Sequence, residues 1–489
     1  MLQNIIGGLQ GVVDHAMVGH YVGYTGNAAI GVSWQIFLVV VVFISSLFAG
    51  MGVLVARFTG ANDPKKVNRS VYQAFLTAAF LSVGVMAPLA YFLAPSLLDL
   101  VNAAPEVQAE ALPYLRIMFL FSFGMMMFFM AGGAFRSAGD ARTPLRLGII
   151  LTVLNIVLNV ILIRGLGPIP AFGTAGAAMG TVIAGAVVSG IVFWILLSQS
   201  GVVAFPRGGP WRPDWGIIRE LFRFGLPTGF QGIAMNVGGV ILLRFVGSLA
   251  ESAEAQAAYA VTYGQLFSFI TWTSVGLMSA AAAVGGQNLG AGKPERTIKG
   301  VHSAAGMALG VAFFVGSLFI LFPNQLLGVF GMDDPVTVRI SVQLLQYLAV
   351  SGFFVCLALT YAGGLQGTGD TKGPLYISII SQLIIPLGFC WVLQETRGLS
   401  AGDIWLAIVL GHVARHEEVR RTRFLRLTDR SQQPVAPVGR VFGAPEAEGV
   451  HSQHVPGRPA EVVRFQKVRV GDVRYPHASK LYPVLEAAM

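Results

Sequence analysis

Charged residues are scarce in this sequence: Asp, Glu, Lys and Arg together make up 12% of its 489 residues. Soluble domains carry about 25% charged residues, so an ordinary soluble fold is excluded. The hydrophobic share of 54% and the mean hydropathy of +0.66 indicate a polytopic membrane protein instead. The residues behind the net charge of +9 lie between apolar segments rather than on one aromatic-rich face, so nucleic acid is not an expected partner.

Cysteine is nearly absent as well, with only Cys356 and Cys390, which lie in separate apolar stretches. This count excludes a disulfide framework, and the spacing excludes a CxxC metal site. A membrane-embedded enzyme would need clustered His, Asp or Glu within the apolar segments, and the sequence has no such cluster. We therefore expect neither enzymatic activity nor a resident cofactor.

Apolar spans follow one another along most of the chain. A window of about 19 residues finds eleven of them, and a twelfth begins at Asp403. Basic residues follow every even-numbered span, whereas the odd-numbered exits carry mainly acidic residues. The positive-inside rule then places the N-terminus and the even exits in the cytoplasm, and we expect a multi-pass protein of the bacterial inner (plasma) membrane. The basic residues at the even exits include Lys65, Lys66, Arg136, Arg142, Arg212, Lys293 and Lys372.

Two motifs occur twice. Residues 135–145 resemble residues 365–375, residues 60–64 resemble residues 290–294, and both pairs are offset by 230 residues. A duplicated unit of six spans keeps the same orientation in both copies, as in transporters whose substrate site lies between parallel repeats. The sequence therefore predicts an all-α polytopic membrane protein of twelve transmembrane helices in two parallel six-helix lobes.

The repeat also sets the boundaries. Residues 1–197 form the N-lobe with helices 1–6, residues 198–216 a cytoplasmic linker rich in Gly and Pro, and residues 217–412 the C-lobe with helices 7–12. No signal peptide is evident, and comparison with the start of the seventh span predicts that the first helix is truncated at its N-terminus.

The twelfth span is incomplete in this interpretation. Its apolar part ends at His412, and a dense charge cluster follows from Arg415 to Arg421. Each central charge in a membrane helix costs roughly 2.5–3.5 kcal/mol on insertion scales. Residues 413–489 are expected to be either a disordered cytoplasmic tail or an out-of-frame translation.

Asp14 is the carboxylate that lies well inside an apolar span, where an ionisable group is by default a functional hypothesis. A proton, a metal cation or an organic cation could each compensate its charge, and competition among them would make an antiporter. The alternatives are a position at the membrane interface, or a structural pair with His15 or Arg244.

Asn155 and Asn159 lie one helical turn apart on one face of the fifth span. They could hydrogen-bond between helices, or their amide oxygens could supplement a carboxylate at a cation site. The second copy does not repeat Asp14 or this pair, so a coupling-ion site would belong to the first lobe.

Aromatic, amide and Met side chains in other spans could line a substrate cavity, since such surfaces bind large apolar cations by cation–π contact and adaptable packing. Packing within the protein is the alternative for each of them. The candidates are Gln10, Trp34, Gln35, Gln231, Asn236, Tyr259, Gln265, Trp272 and the run Met125–Met130.

The combined motifs resemble the multidrug and toxic compound extrusion (MATE) family over residues 1–412. The segments that carry the resemblance are Val13–Gly19, Gly50–Ala61, Phe135–Pro144, Leu154–Asn159, Gly173–Thr181, Gly225–Pro227 and Leu365–Asp370. The resemblance implies twelve helices in two lobes that form a V, and export of small organic cations in exchange for H⁺ or Na⁺.

In this family a first-helix acid, polar residues of helix five and a helix-six Thr form the cation site. Those positions correspond here to Asp14, Asn155, Asn159 and Thr181, and the first three would bind the metal ion if Na⁺ is coupled. Some members also have C-lobe carboxylates that this sequence lacks, which favours coupling in the N-lobe. Some carry an Asp at the position of Asn159, so the choice between H⁺ and Na⁺ stays open.

The resulting hypothesis is a secondary active multidrug efflux transporter, a monomer among membrane lipids that works by alternating access. The alternative within transport is a lipid-linked saccharide flippase of the same superfamily. That function would require a cavity lined with Arg and Lys, and Arg244 is the one basic residue placed deep in a span by the sequence.

Overall fold

A computed structural model describes residues 14, 17–100, 105–206 and 212–432. Within this part the chain is all-α without strands, apart from one isolated bridge between Leu166 and Ile169. Its helices are α1 (seen at residues 14 and 17–21), α2 (Tyr24–Gly60), α3 (Pro64–Asp99), α4 (Pro105–Leu120 and Ser122–Ser137), α5 (Arg142–Arg164), α6 (Gly173–Ser198), α7 (Trp215–Gly247), α8 (Ser252–Gly290), α9 (Pro294–Leu321, with a short helix Pro323–Gly328 after it), α10 (Pro335–Gly367), α11 (Lys372–Thr396) and α12 (Ala401–Gln432).

These helices confirm the predicted fold class, because they are long and apolar enough to cross a bilayer. Eight of the described helices meet that condition singly, and a ninth does so if the two segments of α4, bent by 54°, form one span. The bend lies at Phe121, between the two segments. Short π-helical stretches interrupt α3, α8 and α11, at Phe80–Met86, Ala260–Leu266 and Ile380–Ile384.

Aspartates at the connectors begin several helices. The carboxylates of Asp63, Asp214 and Asp334 accept backbone N–H groups at the starts of α3, α7 and α10. Each satisfies a donor that the first helical turn leaves unpaired. The backbone amide and side-chain hydroxyl of Thr337 donate to Asp334 and hold the pKa of that exposed carboxyl below its usual range.

The C-lobe core is formed by aromatic and aliphatic side chains of four helices. Phe267 of α8, Phe319 of α9, Leu344 of α10 and Trp405 of α12 are all buried in one hydrophobic cluster. In the N-lobe, small residues let α5 and α6 pack closely, as is typical of membrane helices. A Cβ on Gly176 would lie 2.4 Å from the carbonyl oxygen of Leu162.

The linker between the lobes is docked against α3 in its described part. Phe205 contacts Tyr72 and Phe75 edge to face, with ring centroids 5.7 and 5.6 Å apart. Gln73 of α3 donates to the carbonyl of Arg212 and accepts from the amide of Asp214. Helix α6 ends at Ser198, before this segment, and α7 starts at Trp215, after it.

The expectation that regular structure ends at residue 412 is wrong, since α12 continues to Gln432. Its buried side chains recur at Ile404, Ile408, His412, Arg415 and Val419, which is the spacing of one helix face. The charged residues between them leave that face intact, so the helix extends beyond its apolar part. The expected truncation of the first helix and the segment 433–489 lie outside the described residues.

Candidate functional site

Four side chains from three helices of the N-lobe form a chain of hydrogen bonds. Asn159 of α5 donates through Nδ2 to Oδ1 of Asp14 in α1 at 2.6 Å. The same Nδ2 lies 3.4 Å from Oδ1 of Asn155, whose own Nδ2 donates to Oγ1 of Thr181 in α6 at 3.1 Å. The structure thus brings together the four residues that the sequence and the family resemblance singled out.

Local helix geometry explains this arrangement. Asn155 and Asn159 are one turn apart on α5, fully buried, and both face α6. A Cβ on Gly180 would lie 2.1 Å from Oδ1 of Asn159, so only glycine leaves room for that amide. The hydroxyl of Thr181 donates a hydrogen bond to the carbonyl of Ala177 within α6. This bond orients the Thr181 oxygen so that it accepts from Asn155.

The electrostatics of the site centre on Asp14. Its carboxylate is partly buried and accepts a short hydrogen bond from an amide, which offsets part of the cost of placing a charge there. Tyr114 of α4, itself buried, is close enough to interact electrostatically with Asp14. Tyr114 was not among the sequence candidates, because nothing in its local pattern distinguishes it from a packing residue.

The oxygens in this group are of the kind that bind hard cations. A carboxylate, two amide oxygens and a hydroxyl suit Na⁺, and the carboxylate alone suits H⁺. Oδ1 of Asn159 is buried without a hydrogen-bond partner in the described part of the protein. Turning that amide by half a revolution would exchange its oxygen and nitrogen and present the oxygen to a cation at Asp14.

Transition-metal ligands are not grouped in the same way. Among the described residues, no set of three or more His, Cys, Asp and Glu side chains could hold a metal ion.

The candidate cavity residues occupy different environments. Gln231 is buried, and Tyr259 stacks on Tyr263 with ring centroids 4.9 Å apart. Asn236 and Gln265 are exposed, and Asn236 donates to the carbonyl of Gly232 in its own helix. Gln10 lies outside the described residues, as do the side chains of Trp34 and Gln35. The four methionines of the run Met125–Met130 are buried and Trp272 is exposed.

A buried polar network in the C-lobe was not anticipated. Gln231 donates to Ser378 at 2.9 Å and accepts from Gln366 at 3.0 Å, and the guanidinium of Arg415 donates to Ser378 at 3.3 Å. Arg415 is 1% exposed, whereas Arg244 is exposed in the last turn of α7. The spacing of four residues from Gly411 to Arg415 and Val419 is the signal that could have placed Arg415 inside.

Comparisons with known proteins cover nearly the whole described chain. The profile of the MatE family matches residues 1–161 and 227–392. The "Probable multidrug resistance protein NorM" of Thermotoga maritima is 27% identical over 414 residues, which are 84% of this chain and 86% of that protein. The "Multidrug resistance protein MdtK" of Pectobacterium atrosepticum is 24% identical over 445 residues, covering 87% and 92%.

Two solved structures share the fold. One, described as the outward-facing conformation of a multidrug resistance MATE family transporter, superposes with a TM-score of 0.81 at 21% identity, over 88% of this chain and 95% of its own. The other, a MOP superfamily transporter from Pyrococcus furiosus described as having a binding pocket of reverse polarity, also gives 0.81 at 21% identity, over 88% and 94%.

Proposed function

Because the chain belongs to the multidrug and toxic compound extrusion (MATE) family of efflux transporters, we propose that it exports small organic cations from the cell in exchange for H⁺ or Na⁺. It is a multi-pass membrane protein, and its relatives are bacterial, which suggests the inner membrane. In the proposed orientation, the N-terminus and the basic connectors face the cytoplasm. The proposed unit is a monomer surrounded by lipid.

One observation carries this proposal: the hydrogen-bonded chain from Asp14 through Asn159 and Asn155 to Thr181. When it is ionised, Asp14 places a negative charge within the helices of the N-lobe, and the neighbouring oxygens can share a cation with it. The same charge attracts an organic cation, so the coupling ion and the substrate compete for one carboxylate. Such competition is the simplest basis of antiport.

The mechanism we propose is alternating access of the two lobes. Binding of H⁺ or Na⁺ at Asp14 neutralises the carboxylate and releases the organic cation on the outer side. Loss of the ion toward the cytoplasm restores the charge and prepares the site for the next substrate. A ligand drives such a cycle only through its different affinity for the two conformations.

The test is transport in everted membrane vesicles that contain the Asp14→Asn variant. A fluorescent organic cation is followed under an imposed pH gradient and, separately, an imposed Na⁺ gradient. We expect loss of gradient-driven uptake with normal amounts of protein in the membrane, because the amide carries no charge to exchange.

The matched control is Asp99→Asn, which changes an exposed carboxylate that accepts from Gln108 at an odd-numbered exit. That variant is expected to transport normally. Full activity of Asp14→Asn under both gradients would contradict the assignment of Asp14.

A further inference from the structure

The two lobes touch through glycines at the ends of α2 and α8. A Cβ on Gly60 would lie 1.9 Å from the carbonyl oxygen of Gln287, and one on Gly290 would lie 2.1 Å from that of Arg57. Residues 60 and 290 correspond under the repeat offset, and so do residues 57 and 287. The contact is therefore reciprocal, with the backbone of each helix pressed against the other.

The side chains at the same two positions also reach across the boundary. Arg57 of the N-lobe donates to the backbone carbonyl of Thr368, which follows α10 in the C-lobe. Gln287 of the C-lobe donates to the carbonyl of Ser137, the last residue of α4 in the N-lobe, at 2.8 Å. Both acceptors lie in the second repeated motif of the partner lobe.

The second motif is built to receive these side chains. Gly139 and Gly369 have φ angles of +93° and +85°, a conformation that other residues rarely adopt. A Cβ on Gly369 would lie 2.5 Å from Nη2 of Arg57, and one on Gly139 would lie 3.4 Å from Nε2 of Gln287. Gly369 thus leaves room for Arg57, whereas a Cβ on Gly139 would only be in van der Waals contact with Gln287.

The aspartates that follow fix the loops in place. Asp140 accepts from the amides of Arg142 and Thr143 at the start of α5, and Asp370 accepts from the amide of Gly373 at the start of α11. These bonds hold the carbonyls that the cross-lobe donors require. The end of α2 or α8, which carries the first repeated motif, therefore contacts the second repeated motif of the other lobe. The internal repeat makes this contact occur twice.

We propose that Arg57 and Gln287 are positioning residues that hold the lobes together at this end and must both release in each transport cycle. This inference rests on the proposed alternating-access function. The contact lies among the connectors that carry Lys65, Lys66, Lys293 and Lys372, so it is the cytoplasmic end by the positive-inside rule. Arg57 also lies over the ring of Phe224 in α7, 5.6 Å from its centroid, which adds a second cross-lobe contact.

The two bonds differ in strength. A hydrogen bond from a charged guanidinium is stronger than one from a neutral amide, so loss of Arg57 should raise the ratio of open to closed cytoplasmic ends on the order of tenfold. Loss of Gln287 should raise it less. Removal of both should leave the closed state held by the backbone contacts of α2 with α8 and of α2 with α7, where a Cβ on Gly50 would lie 2.0 Å from the carbonyl oxygen of Leu221.

The experiment measures the separation of the lobes directly. Lys65→Cys and Glu295→Cys place nitroxide labels on exposed, repeat-related positions after Pro64 and Pro294, and pulsed electron spin resonance gives their distance in lipid nanodiscs. The native Cys356 and Cys390 are buried, and the chain without added cysteines is labelled in parallel as background.

The labelled parent should show one short distance. Arg57→Ala should add a population with a longer distance between the labels, and the double variant Arg57→Ala with Gln287→Ala should add a larger one. Arg57→Gln should retain most of the short-distance population, because a glutamine donates the equivalent hydrogen bond at position 287. The control Arg223→Ala removes an arginine that lies over the same Phe224 ring but pairs with Glu220 within α7, and it should behave like the parent.

Gly60→Ala provides a second route to the same state, because its methyl group would separate the backbones of α2 and α8. Only variants that elute as a single species in detergent are compared. Identical distance distributions for the parent, the double variant and Gly60→Ala would overturn the proposal. If these variants shift the distance distribution but Asp14→Asn transports normally, the role of the cross-lobe contact stands and the proposed coupling site is rejected.

Discussion

Gly180→Ala tests the cation site without changing any charged or polar group. The added Cβ would lie 2.1 Å from Oδ1 and 3.2 Å from Cγ of Asn159. Since nonbonded heavy atoms pack at roughly 3.5–4.0 Å, the Asn159 amide must move by more than an ångström. The hydrogen bond from its Nδ2 to Asp14 is already 2.6 Å long, so there is no room to move toward the carboxylate, and a move away breaks the bond.

The size of the effect follows from that bond. A hydrogen bond to a charged group contributes about 1.5–3 kcal/mol, which corresponds to roughly a ten- to hundredfold change in an affinity. We therefore expect Gly180→Ala to change the apparent affinity for the coupling ion by this factor. The change would appear as a higher Na⁺ concentration at half-maximal transport, or as a displaced pH dependence if H⁺ is coupled.

The assay is uptake of a fluorescent organic cation into everted vesicles at graded Na⁺ concentrations and, separately, graded pH. The matched control is Gly190→Ala on the same helix, where a Cβ meets no atom within 4 Å. Its apparent ion affinity should equal that of the parent. If Gly180→Ala gave the same ion dependence as Gly190→Ala, the role assigned to Asn159 would be refuted.

Two further predictions concern stability. Gln231→Leu leaves the amide of Gln366 without its buried acceptor and removes one of the two donors to Ser378, the other being Arg415, which should destabilise the C-lobe by about 1–3 kcal/mol. The control is Asn288→Leu, a partly exposed amide that donates to the carbonyl of Val284 in its own helix. A lower melting temperature of Gln231→Leu than of Asn288→Leu in detergent checks this, and equal temperatures would contradict it. The hydrogen bonds from Thr337 lower the pKa of Asp334 in the folded protein. The stability that the Asp334 carboxylate adds to the start of α10 is therefore fully present above the pKa of the unfolded chain, and it is lost as the pH falls through the pKa of the folded protein. The protection factors of the amides in the first turn of α10, which remove the intrinsic pH dependence of hydrogen exchange, should therefore fall at acidic pH in the parent and be insensitive to pH in the same range in Asp334→Ala.

The membrane class, the helices and the duplication could be predicted from the sequence because they depend on local properties. Hydropathy decides whether a segment can cross a bilayer, and basic connectors orient it. The spacing of Asn155 and Asn159 placed them on one helix face, since the period of an α-helix is fixed. Asp14 was recognisable because a carboxylate among apolar residues is costly wherever its helix packs.

Helix rotation and packing could not be predicted in the same way. Gln231 and Asn236 are five residues apart on α7 and so point to different sides of that helix. Only the neighbouring helices decide that the side of Gln231 is buried in a polar network and that of Asn236 is exposed. The charge cluster after His412 suggested an end to regular structure, but helical backbone bonds form regardless of side-chain charge, and α12 buries Arg415 against Ser378.

The internal repeat shows most clearly which features depend on the sequence alone and which depend on the tertiary structure. The sequence alone determined that residues 60–64 and 135–145 have copies 230 positions later, because identity between segments needs no structure. Only the tertiary structure decided that Arg57 of the N-lobe contacts residues 365–375 of the C-lobe. In the same way, only the structure shows that Gln287 of the C-lobe contacts residues 135–145 of the N-lobe. The physical reason is that the offset fixes which residues are equivalent, whereas the packing of α2 on α8 fixes which of them touch.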